Sequence, residues 1–72
     1  MHRGTVRSYD YIHGTGFIDP DDGSEKVKVS YREIRCVGYK ILHEGQKVVF
    51  DLHRTSRGVS ARNVVPVTQP VR

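Results

Sequence analysis

The chain has 72 residues, no tryptophan and a single cysteine, Cys36. One cysteine cannot close an internal disulfide, so a reducing, cytoplasmic setting is expected. No run approaches the roughly 18 apolar residues that a membrane helix requires. The opening MHRGTVRS carries charge with no apolar stretch behind it, so no secretory signal and no membrane partner are expected. Length is scarce too. A domain this small buries only about 60% of the surface its unfolded chain exposes, which leaves little room for a deep catalytic pocket.

Clusters that carry chemistry are equally sparse. His2, His13, His43 and His53 are not paired at i,i+2 or i,i+4, and Cys36 has no second thiol, so three or four converging zinc ligands are lacking. Gly14-Thr15-Gly16 starts like a dinucleotide-binding loop. The third glycine of that pattern falls on Asp19, and no helix follows. Asp19, Asp21 and Gly23 resemble part of a calcium loop, but the twelfth position, which needs a bidentate glutamate, is Ser30. No serine sits in a nucleophile elbow and no acid–base pair stands out. Neither an enzyme nor a cofactor is expected.

What the chain does have is positive charge and short apolar runs. The formal net charge is +4 and the pI about 9.6. Such a balance points to an anionic partner, with nucleic acid first among the choices. The apolar runs are rich in valine, isoleucine, tyrosine and phenylalanine and are punctuated by glycine, aspartate and proline. They predict five strands: 3–11, 13–19, 26–31, 46–53 and 59–65. In the third, Val27, Val29 and Tyr31 share one face and Lys26, Lys28 and Ser30 the other. In the second, Ile18 points to the core and Phe17 to solvent, an outward ring on which a base can stack. Ser30-Tyr31-Arg32-Glu33 fits a capping box for one short helical turn. The stretch 66–72 holds two prolines and few core candidates, so 1–65 is expected to be the domain and 66–72 a flexible tail. Five short strands avoid exposed edges by closing on each other, as in an all-β, antiparallel barrel of the OB type.

Several stretches carry a closer likeness. Gly14-x-Gly16-Phe17-Ile18 leads to Pro20-Asp21-Asp22-Gly23, then Val27-x-Val29, then Gly38-Tyr39-Lys40. Glu44-Gly45-Gln46-Lys47-Val48 follows with Phe50, then Ala61-x-Asn63-Val64. In this order and at this spacing, from about Gly4 to Val65, the chain resembles the bacterial cold-shock proteins, the cold-shock domain class of OB-folds. That resemblance implies binding of single-stranded RNA or DNA by stacking bases on surface aromatics, and a role as RNA chaperone, antiterminator or transcription regulator. The contacts expected here are Arg7, Tyr9, His13, Phe17, Lys28, Tyr31, Tyr39 and Arg57, and a monomer is expected.

The chain also departs from the family pattern. Where the family reads K-W-F-N, this sequence has Arg7-Ser8-Tyr9-Asp10. K-G-F-G-F becomes His13-Gly14-Thr15-Gly16-Phe17, and V-F-V-H-F becomes Val27-Lys28-Val29-Ser30-Tyr31. Rings are thus missing at Ser8, Thr15, Lys28 and Ser30, while Lys28 adds a charge near Arg7, Lys26, Arg32 and Arg35. Two outcomes follow as expectations. Binding is retained but weaker, more salt-dependent and less base-selective, or the fold has become a protein-interaction module.

Overall fold

The computed structural model describes residues 1–35 and 41–67. Its strands are β1 (His2–Asp10), β2 (Thr15–Pro20), β3 (Val27–Ser30), β4 (Lys47–Thr55) and β5 (Gly58–Pro66). A single 3-10 turn, Tyr31–Glu33, follows β3. The strands close into a barrel in the order β1-β2-β3-β5-β4, with β4 returning to β1. Every pairing is antiparallel except β3 with β5, which is parallel. The sheet is therefore mixed rather than wholly antiparallel. This follows from closure, because a ring of five strands with four antiparallel pairings leaves the fifth pairing parallel. Among the described residues no helix is long and apolar enough to cross a membrane.

Alternation along the strands builds the core. Val6, Ile18, Val27, Val29, Val48, Phe50, Ala61 and Val64 fill the barrel, with Ile34 and Leu42 added by the connection between β3 and β4. Each large side chain so buried contributes about 1.5–3 kcal/mol. Ile18 is buried and its neighbour Phe17 only half-buried, as the two-residue period requires. Tyr31 breaks the alternation predicted for the third strand. The chain turns at Ser30, so Tyr31 leaves the face of Val27 and Val29 and stays 45% exposed.

The capping box forms by half. The Ser30 hydroxyl accepts from the Arg32 amide at 3.4 Å. Glu33 does not reach back to Ser30, and its carboxylate instead accepts from the Asn63 amide on β5 at 3.4 Å. β5 runs through Pro66, and the Val67 amide donates to the Lys47 carbonyl at 2.9 Å. The remainder of the expected tail, 68–72, lies outside the described residues, as does Cys36.

Two glycines of the HGTGF segment prove to be packing residues. Gly14 adopts φ 71°, and the Tyr31 ring lies where its side chain would project. Gly16 faces inward beneath β1, where an added Cβ would strike the Ser8 carbonyl and come within 2.9 Å of the Tyr9 Cα. Both obstacles are backbone, which cannot swing away. Gly16→Ala is expected to destabilise the fold by about 1–3 kcal/mol. In thermal denaturation that lowers Tm by roughly 4–8 °C per kcal/mol for a domain this size, and an unchanged Tm contradicts the close approach.

Candidate nucleic-acid interface

The registers align one outward residue from each strand. Ser8 pairs with Phe17, Phe17 with Lys28, Lys28 with Ser60, and Ser60 with His53. The row Ser8–Phe17–Lys28–Ser60–His53 thus crosses β1, β2, β3, β5 and β4. At about 4.8 Å between strands, its path along the curved barrel wall is roughly 19 Å. A second row runs beside it, from Asp10 to Thr15 to Ser30. The four positions where the family pattern has a ring, Ser8, Thr15, Lys28 and Ser30, all lie in these two rows. The substitutions therefore cluster on one outer face around Phe17.

Two concave stretches lie on this face. A groove of about 510 Å³ is lined by Phe17, Lys26, Lys28, Arg57 and Ser60, among others. A second hollow of about 290 Å³ shares Lys28 and Ser60 and continues to Ser30, His53 and Arg62. Phe17 keeps a usable face, with the Lys26 ammonium 5.3 Å from its ring centroid. Such a cation over an exposed ring is worth about 0.5–1 kcal/mol. Neither Lys28 nor Arg57 forms an ion pair with a described residue. Arg57 sits in the β4–β5 turn, which Thr55 shapes by accepting the Arg57 amide at 3.1 Å.

The other expected contacts are distributed less evenly. Arg7 occupies the bulge in β1 and its guanidinium lies 3.2 Å from Asp19. Tyr9 packs against the core rather than on the two rows. Tyr31 lies over Gly14 with the Arg32 guanidinium 5.9 Å from its centroid. Arg35 is drawn away to Glu33 and Asn63. Tyr39 lies outside the described residues. Ser60, His53 and Arg62 were missed in the sequence. His53 does alternate outward with Lys47 and Asp51, but only the parallel β3–β5 pairing carries it next to Lys28.

His13 belongs to the β1–β2 turn, which Asp10 organises. One Asp10 carboxylate oxygen accepts the Ile12 and His13 amides at 3.0 and 3.3 Å. The other lies 2.6 Å from His13 Nδ1, which must be the donor because a carboxylate only accepts. The hydrogen bond from the His13 ring, seconded by these amides, holds the Asp10 carboxyl below its ordinary value of 3.8.

These features define a small closed barrel of the OB class with a basic and partly aromatic outer face. The chain belongs to the cold-shock domain family: the "'Cold-shock' DNA-binding domain" family matches residues 2–67. It is 40% identical over 67 residues to the cold shock-like protein CspD of Escherichia coli K12, covering 93% of this chain and 90% of that protein. It is 46% identical over 66 residues to cold shock protein 1 of Lactiplantibacillus plantarum, covering 92% and 98%. Among solved structures, the Drosophila Unr CSD456 chain superposes with a TM-score of 0.77 at 15% identity. That match covers 93% of this chain and 26% of the other, and it supports the fold alone. The family consists of binding domains without enzymatic activity.

The Asp10 contact has a direct test. Because the folded Asp10 pKa is depressed, the contact's stabilisation is present above the unfolded value of 3.8 and is lost as pH falls through the lower folded value. In His13→Ala, the Asp10 midpoint followed by NMR is expected to rise toward 3.8. A midpoint that stays put contradicts the role given to the imidazole.

Proposed function

We propose that the outer face binds single-stranded RNA or DNA as a cytoplasmic monomer, with a role as RNA chaperone or transcription regulator. One observation carries this reading. The row Ser8–Phe17–Lys28–Ser60–His53 sets a stacking ring directly beside an unpaired cation, Lys28, on neighbouring strands.

Stacking on an aromatic is worth about 1–3 kcal/mol per base. Four missing rings therefore remove several kcal/mol. At about 1.4 kcal/mol per decade, affinity falls a thousandfold or more below that of a fully aromatic face. Lys28, Lys26 and Arg57 offset part of this loss through phosphate contacts, whose counterion release makes binding salt-dependent. Phosphates are the same at every nucleotide, so the exchange of rings for charge also lowers base selectivity. Phe17 and Tyr31 remain as stacking groups within the described residues.

A second reading, a protein-contact module, draws on the β1–β2 turn. Tyr11 and Ile12 are 71% and 76% exposed there, away from the two rows. A titration separates the two readings. Fluorescent oligo-dT and oligo-rU are expected to bind at about 20 mM salt and to weaken at physiological salt. Phe17→Ala is expected to weaken binding about 5- to 100-fold, and Thr15→Phe to tighten it by a similar single stacking increment. Absence of binding at low salt, or indifference to both substitutions, would leave the protein-contact reading.

A further inference from the structure

A third hollow opens at the end of the barrel, outside the two rows. It measures about 260 Å³. Its floor is apolar: Val27 and Phe50 are buried, and Leu52 and Val59 are partly buried against the same core. One wall is the His2 imidazole, which lies on the Phe50 ring at 5.9 Å between centroids and 27° between planes. The flat wall and apolar floor suit a planar, partly polar group. The size is below the roughly 300 Å³ at which pockets for drug-sized ligands begin.

The recess is continuous with the groove beside Phe17. Both are lined by Glu25, Lys26, Gly58 and Val59. At Gly58 no side chain divides them, and the space where one would project is open. A strand held along Phe17 and Lys28 therefore has an unobstructed path to the recess.

The rim selects the occupant. Arg54 and Lys26 supply positive charge for a backbone that passes over it. Two carboxylates share the rim. Asp22 is committed to its own turn, accepting the Ser24 amide at 2.8 Å. Glu25 makes no hydrogen bond or ion pair with a described residue. A free carboxylate repels phosphate, so the recess itself is unsuited to the backbone. It accepts hydrogen bonds from the edge of an amino-bearing base. Guanine offers two neighbouring donors, N1–H and the exocyclic amino group, to its two oxygens. Thymine and uracil offer one imide N–H flanked by carbonyls that a carboxylate repels.

We propose that this recess takes one nucleobase of the bound strand, and that Glu25 makes guanine the preferred base there. The proposal rests on the nucleic-acid reading above and adds a position and a specificity to it. The recess lies at one end of the groove, so one end of a short strand reaches it.

The test compares three hexadeoxynucleotides: all-thymine, and the same strand with guanine at either the 5′ or the 3′ end. One of the guanine strands is expected to bind roughly fivefold tighter than all-thymine, the worth of about one added hydrogen bond. NMR is expected to show shifts at the Val27, Leu52 and Val59 methyls with that strand. Replacing its guanine by hypoxanthine removes the amino group and is expected to reduce the gain. Glu25→Ala, an exposed change unlinked to any hydrogen bond, is expected to abolish it. Equal affinities for all three strands, or shifts confined to Phe17 and Lys28 with the recess methyls still, would overturn the recess while leaving the groove intact. Absence of binding by every strand at low salt would overturn both.

Discussion

The parallel seam between β3 and β5 is the constraint on which the rest of the molecule turns. It is short, with Lys28 opposite Ser60 and a further bridge from Ile34 to Val64. Without it the five strands would form one open sheet with β3 and β5 as unpaired edges, and the core they enclose would open to solvent. The chain reinforces the seam just beyond β3. The Arg35 amide donates to the Val64 carbonyl at 2.7 Å. Asn63 stands at φ 52°, a conformation asparagine tolerates better than most residues. There its side chain accepts from Arg35 and donates to Asp51, while its amide meets Glu33.

The same seam assembles the outer face. Ser60 and His53 face each other across the β4–β5 hairpin, and only closure sets Lys28 of β3 beside Ser60. The grooves that flank Lys28 lie along this junction. Fold and site are thus coupled. Apolar burial on the inside of β3 and β5 holds Lys28 and Ser60 in place on the outside. The outer face is tuned separately from the core because alternation sends neighbouring residues in opposite directions. Phe17 and Ile18 are adjacent in the chain, yet one is available for stacking and the other is fully buried. Rings at Ser8, Thr15, Lys28 and Ser30 are therefore replaceable by polar and basic groups without a hole in the core.

Much of this was legible from local pattern. Period-two alternation in VKVS and KVVFDL marked β3 and β4, and the glycines and aspartates marked the turns. The outward Phe17 followed from the same period. The parallel seam was not legible, because it joins segments about 30 residues apart and leaves no local signature. Ser60, His53 and Arg62 were missed for that reason. Alternation sets Tyr31 on the face of Val27 and Val29, but the strand ends at Ser30, whose cap redirects the chain. The glycines of HGTGF stood out in the sequence, but their cause did not. They admit the Tyr31 ring and the β1 backbone, contacts that only the folded chain creates.

The proposed function has cations carry much of the binding that the family pattern assigns to rings. Its most direct measurement is the dependence of oligonucleotide affinity on salt, taken for the native chain and for Lys28→Ala. Three cations at Lys26, Lys28 and Arg57, each at about 0.7 for a single strand, predict a log–log slope of about −2, falling in magnitude by about 0.7 in the variant. A slope near zero, or one that Lys28→Ala leaves unchanged, would contradict it.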